Sequence, residues 1–221
     1  MRIILTGATG FVGSQVLDQL LDDDTVTGIT ALVRRPLNLA ADKLDVVLID
    51  DFMQYDEHLL ASLSQHSACI WTLGGKDSDH ADPALYERIT HGFTLALAEP
   101  VATQAARPFT FCYLSGMGAS QSEDVHLPWE RMTRQLKGRT EKDLITLAEG
   151  HQFFDVHCFR PGGILPLDVG GLTQHLAAPI AVRVDDLATA LIAVATGARG
   201  TGYVVTNSEI KKIARLAPAG Q

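Results

Sequence analysis

Residues 6–13 read Thr6-Gly7-Ala8-Thr9-Gly10-Phe11-Val12-Gly13, between the apolar run at 3–5 and a stretch, 11–21, whose apolar residues recur at helical spacing. A strand that passes into a helix through glycines spaced GxxGxxG has a specific use. Gly7 and Gly10 allow a tight turn, often with positive φ, and leave main-chain N–H groups bare enough for pyrophosphate oxygens to approach. Gly13, one turn into the helix, lets helix and strand pack closely. The free amides at the helix start, on Thr9, Phe11 and Val12, attract an anion. These residues are expected to hold the phosphates of a dinucleotide.

On the far side of this turn, strand-like runs alternate with helical stretches. The runs fall at 2–6, 29–33, 44–49, 68–73, 109–115, 154–160 and 203–206. The early ones are continuously apolar, as parallel strands covered on both faces must be. Asp82 with Pro83 behind it reads as the cap and first residue of a helix through 86–98, broken or kinked at Pro100. Pro128 precedes a long helix at 129–149, Asp185 is placed to cap a helix at 186–196, and Gly150 and Gly197 are expected helix stops. The pattern predicts an α/β fold: a Rossmann-type, doubly wound parallel sheet in a single domain over 1–221, with a minimal substrate-loop region inserted at about 162–181.

Composition removes several function classes. The chain of 221 residues is 46% hydrophobic and 20% charged, with no apolar run near the ~20 residues that span a bilayer, so no membrane association is expected. A net charge of -8 argues against binding nucleic acid, which needs clustered Lys and Arg. Cys69, Cys112 and Cys158 form no CxxC pair and fall in apolar runs, so buried free thiols are expected. The eight histidines show no HExxH and no zinc spacing, and no metal is expected. The opening MRIILTGATG ends in glycines where a secretory leader would carry a small-residue cleavage site, and a cytoplasmic protein is expected.

The run TGATGFVG resembles the opening of the short-chain dehydrogenase/reductase superfamily, in its extended and atypical branches. The resemblance implies a nicotinamide cofactor and gives later landmarks a role. After the second strand comes Ala31-Leu32-Val33-Arg34-Arg35-Pro36, where such proteins choose between cofactors. A guanidinium there pairs with the 2′-phosphate of NADP, so Arg34, with Arg35 beside it, implies NADP(H) over NAD(H). Asp50 and Asp51 stand where relatives meet the adenine, although Asp51 also reads as a helix N-cap, and Leu73 and Gly74 stand where they approach the ribose. Arg160-Pro161-Gly162 resembles the turn beside the nicotinamide carboxamide, and residues 182–188 resemble the run that returns the chain to the core.

The resemblance assigns Ser115 to the substrate carbonyl and Lys137 to the nicotinamide ribose. The run Lys137-Gly138-Arg139-Thr140-Glu141 is similar to a Lys-Gly-x-x-Glu run of atypical members. Four residues before Lys137, where active members carry the proton-exchanging Tyr, stands Thr133, whose hydroxyl pKa is too high for that work. Tyr86 and Tyr113 are the nearest other phenols to consider. The likeness covers about residues 1–206, and only about sixty residues follow Pro161, leaving little room for a substrate domain. The substrate site is expected to be a shallow crevice roofed by 116–128 and 165–179. Three functions follow from this reading. The first is an NADP(H)-dependent oxidoreductase on a small carbonyl or alcohol. The second is a non-catalytic, NmrA-like NADP(H) sensor or assembly protein with a protein partner. The third is a nucleotide-sugar epimerase, disfavoured by the missing Tyr and domain.

Overall fold

The computed structural model describes residues 1–75, 82–122, 131–170, 179–198 and 202–217. Strands β1 (Arg2–Thr6), β2 (Gly28–Val33), β3 (Leu44–Leu48), β4 (Ala68–Trp71), β5 (Phe109–Leu114), β6 (Phe154–Arg160) and β9 (Val204–Thr206) form one sheet in the order β3-β2-β1-β4-β5-β6-β9. Every neighbouring pair is parallel. This is the doubly wound Rossmann arrangement that the sequence predicts, and the order reverses between β1 and β4. A second, two-stranded parallel sheet joins β7 (Gly163–Leu165) to β8 (Ala181–Arg183). β7 lies in the stretch expected to be loop, and β8 begins where that stretch ends.

Helices cover both faces: α1 (Phe11–Asp22), α2 (Glu57–Leu63), α3 (Pro83–Glu87), α4 (Phe93–Gln104), α5 (Arg131–Gly150), α6 (Val184–Ala195) and α7 (Asn207–Leu216). Because alternate strand residues point to opposite faces, Ile3 and Leu5 of β1 pack with Val16 of α1 and Leu187 and Leu191 of α6. Ile4 between them joins Leu97 and Val101 of α4 and Leu144 of α5 on the other face. Two apolar layers therefore clamp a sheet whose central strands have no wet side. Cys69, Cys112 and Cys158 are buried on three adjacent strands, β4, β5 and β6, and burial pushes each thiol above its ordinary pKa.

Several local expectations change. Asp82 caps α3, accepting from the Ala84 amide at 2.9 Å, but the helix then passes through a π turn at Arg88–Gly92 before α4 begins. Pro100 does not break α4, which runs on to Gln104. A proline inside a helix costs about 3 kcal/mol, and here the burial of Leu97, Ala98, Val101 and Ala102 around it offsets that cost. Asp185 is not a cap: α6 starts at Val184 with Arg183 as N-cap, and Asp185 sits in the first turn holding the Arg183 guanidinium through both oxygens, at 2.9 and 2.7 Å. The cap of α2 is Asp56 and not Asp51. Gly197 ends α6 with φ +113°, a left-handed stop. Gly150 closes α5, whose expected start at 128–130 lies outside the described residues. The ladder of β4 stops at Trp71, two residues sooner than expected, and Thr72 beyond it donates its hydroxyl to the Thr6 carbonyl at 2.7 Å.

One buried histidine ties the sheet edge together. The His66 ring has Nδ1 3.1 Å from the Ser62 carbonyl oxygen and Nε2 2.8 Å from the Thr30 hydroxyl. The carbonyl can only accept, so Nδ1 carries a proton, and in the neutral ring Nε2 accepts from the Thr30 hydroxyl. Burial, and then the charge of Arg2, lower its pKa below the ordinary 6.5. Above pH 6.5 the ring is neutral folded or unfolded; below it the unfolded chain takes up a proton that the folded chain refuses, so stability falls as pH falls. In urea unfolding, the parent should lose stability below pH 6.5 more steeply than His66→Gln, by at most ~1.4 kcal/mol per pH unit, the limit for one proton. Equal slopes would mean that the ring titrates normally in the folded state.

Candidate cofactor and active site

The turn after β1 opens into the crevice between the carboxyl ends of β1 and β4, where the strand order reverses. Gly7 has φ +72°, and its carbonyl accepts from the Gly10 amide at 2.8 Å. A Cβ on Gly13 would lie 2.1 Å from the Gly7 carbonyl oxygen, so the third glycine is required by contact between α1 and the turn. The start of α1 has no side-chain cap and no acidic residue in its first turn. Its amides thus carry the uncompensated positive end of the helix. Thr9, Gly10 and Phe11 are exposed, while the Val12 side chain is buried and serves the core. This bare backbone fits a diphosphate.

The remaining landmarks gather around the same crevice. Arg34 and Arg35 follow the end of β2 and are exposed, beside the end of β3, where the Ile49 amide donates to the Val33 carbonyl at 2.8 Å. Asp50 follows in the exposed turn, and Asp51 is engaged by the Met53 amide and by Arg88 at 2.7 Å. Leu73 donates its amide to the Thr6 hydroxyl at 3.3 Å, binding the β4 turn to β1. Gly74, at φ +143°, has no atom of the described residues within 4 Å of a Cβ position.

At the end of β5, Ser115 is 3% exposed and its hydroxyl is buried with no hydrogen-bond partner. The Lys137 ammonium donates to the Ser115 carbonyl at 2.9 Å, so the structure joins two residues that lie 22 apart in sequence. Thr133 is buried one turn earlier on α5. Neither alternative phenol is presented to this point. Tyr86 is fully buried and donates to the Gly75 carbonyl at 3.1 Å, and Tyr113 is buried in the core, where desolvation pushes its pKa well up.

The turn after β6 is fastened on two sides. The Pro161 carbonyl accepts from Met117 at 2.8 Å, and the Gly162 amide donates to Asn207 Oδ1 at 3.0 Å. A Cβ on Gly162 would come within 1.8 Å of the Ile180 carbonyl oxygen, so that turn also needs glycine. The Arg160 guanidinium is held by both carboxylate oxygens of fully buried Glu141, through Nε at 2.9 Å and through Nη2. The Lys-Gly-x-x-Glu run and the Arg-Pro-Gly turn are therefore two halves of one ion pair. Gly138 in that run lets α5 press on the Ser120 backbone, 1.8 Å from where its Cβ would stand. Sequence reading missed Asn207 and Thr72, whose types carry no pattern of their own. Past the end of β5 a cavity of about 730 Å³ opens between Met117, Gly118 and α7.

A bare, positive-φ glycine turn at the switch point of a parallel sheet defines a dinucleotide-binding Rossmann protein. A family described as NAD(P)H-binding matches residues 7–164, and the chain belongs to that family. Among curated proteins it is 23% identical to "Protein FMP52, mitochondrial" of Debaryomyces hansenii over 97% of this chain and 86% of that one. It is 26% identical to the Candida albicans protein of the same name over 75% of this chain and 68% of that one. A shorter match, 40% identical, joins 34% of this chain to 28% of leucinostatins biosynthesis cluster protein T of Purpureocillium lilacinum, so the chain spans little more than a quarter of that relative.

Among solved structures the fold is shared with a mutated uronate dehydrogenase (TM-score 0.68, 18% identity, 93% of this chain and 73% of that one). It is also shared with Bordetella bronchiseptica WbmF in complex with NADH (TM-score 0.66, 18% identity, 97% and 75%). The fold and family read from residues 6–13 are thus borne out. No helix among the described residues is long and apolar enough to cross a membrane. The FMP52 proteins are named mitochondrial, which lends no support to a cytoplasmic placement.

Proposed function

We propose that this NAD(P)H-binding chain prefers NADP(H) and works as an oxidoreductase on a small carbonyl or alcohol. The observation that carries the reading is the Ser115 hydroxyl, buried and unpartnered at a strand end beside Lys137. A buried hydroxyl without a partner costs about 1–3 kcal/mol, and a substrate oxygen that accepts from it removes that cost. When bound, the nicotinamide supplies or takes a hydride. An ammonium has three donors, so Lys137 has the capacity to hold the Ser115 carbonyl and a ribose hydroxyl together. The Glu141–Arg160 pair keeps the Pro161 turn in place against the Ser115 strand end. Three buried thiols suit a reducing compartment, cytoplasm or mitochondrial matrix alike.

Arg34 and Arg35 support the NADP(H) preference. Charge-assisted bonds of ~1.5–3 kcal/mol at an exposed site lead to an expected loss of about tenfold in NADPH affinity for Arg34→Ala, with NADH affinity changed less than twofold. Isothermal titration measures both. Equal loss for the two cofactors removes the preference. Thr133 in place of the proton-exchanging Tyr favours a second reading, a sensor that binds NADP(H) without turnover. Oxidation of NADPH with any member of a broad carbonyl panel, abolished in Ser115→Ala, supports the enzyme; tight NADPH binding with no oxidation leaves the sensor.

A further inference from the structure

The cavity between Met117 and α7 has an unusual wall. On α7, Ile210, Ile213 and Ala214 pack into the core, while Lys211, Lys212 and Arg215 line the cavity. In a chain of net charge -8, three cations share this wall, and no described lining residue is acidic. Like charges four apart on a helix, as at 211 and 215, destabilise it. Asp186 feels the charges of both Lys211 and Arg215. The start of α7 is not the attraction, because Thr206 and Glu209 already close it with a capping box. Arg160, Thr206, Asn207 and Ser208 add polar groups to the lining, and its large apolar side chains, Met117, Ile180 and Leu216, are 57%, 64% and 74% exposed. Large apolar side chains left this bare beside cations suit one kind of occupant. The volume, about 730 Å³, is that of a small-molecule site.

We infer that this cavity binds an amphiphilic anion, a molecule with a carboxylate or phosphate head on an apolar body. The head lies on Lys211, Lys212 and Arg215, and the body lies along Met117 and Ile180. That the body is the part reduced or oxidised rests on the function proposed above; the binding itself does not, and it is measured without turnover.

The test titrates the full chain with octanoate, octyl phosphate and 1-octanol by calorimetry, with NADPH in parallel. At least one anion should bind tenfold or more tighter than octanol, and the tighter of the two identifies the head group. The triple variant Lys211→Gln, Lys212→Gln, Arg215→Gln should lose at least tenfold in anion affinity while its NADPH affinity stays within twofold. Ile180→Glu, an exposed change on the apolar wall, should weaken the anions at least tenfold more than octanol, and it serves if the triple variant folds poorly. Octanol binding as well as both anions, full anion affinity in the variants, or no binding of any probe at millimolar concentration overturns the inference. Anion binding without NADPH binding would support this site and sink the cofactor reading alone. NADPH binding without anion preference would do the reverse.

Discussion

Gly13→Val is expected to abolish NADPH binding and to destabilise the chain by about 3 kcal/mol or more. The added Cβ would stand 2.1 Å from the Gly7 carbonyl oxygen, 2.6 Å from the Gly7 carbonyl carbon and 2.7 Å from the Thr72 hydroxyl. Two of those atoms are backbone, so the clash cannot be relieved by a rotamer. Either α1 moves off the sheet, which unpacks Val12, Val16 and Leu20, or the turn moves, which aims its amides elsewhere. Both spoil the phosphate cradle. Gly150→Ala, where a Cβ meets nothing within 4 Å, serves as the control and should shift stability by less than ~0.5 kcal/mol. Urea unfolding and NADPH titration read the two effects. A Gly13→Val protein that binds NADPH like the parent would remove close packing as the reason for the third glycine.

The second large effect is expected at Glu141. This carboxylate is fully buried on α5, holds Arg160 through both oxygens and accepts from Gln121 at 3.2 Å. Removing one member of a buried pair leaves the other uncompensated, at about 3–5 kcal/mol. The Arg160 side chain keeps 24% of its exposure, so water screens part of that loss and Glu141→Ala should cost about 3 kcal/mol. Replacing both partners, as in Glu141→Leu with Arg160→Met, restores an apolar contact and should recover most of the stability. The double variant should still bind NADPH poorly, because the Pro161 turn has lost its tie to α5. A double variant no more stable than Glu141→Ala would show that the pair is worth more than its charges.

The parts legible in the sequence were those where one local rule decides. The GxxGxxG turn, the continuously apolar strands and the Asp82-Pro83 helix start each follow from steric or hydrogen-bond needs within a few residues. The parts that were not legible depend on distant partners. Pro100 reads as a break because its lost hydrogen bond is local, whereas the burial that offsets it comes from strands across the core. Asp185 is the local exception: it reads as a cap, but Arg183, two residues earlier, claims its carboxylate. The triplets Gly163–Leu165 and Ala181–Arg183 are too short to show a period, and only their pairing makes them strands. At the site, Ser115 and Lys137 were recognisable by resemblance, but the bond between them, and the joining of Glu141 to Arg160, exist only once β5, α5 and β6 are packed together.

The three thiols on β4, β5 and β6 give the molecule a built-in clock. Each sits mid-strand in the core and is kept protonated by burial, so an alkylating reagent finds no thiolate while the sheet is intact. Counting labelled molecules over time therefore counts openings of the central sheet, with no probe to be engineered and no denaturant to be extrapolated away.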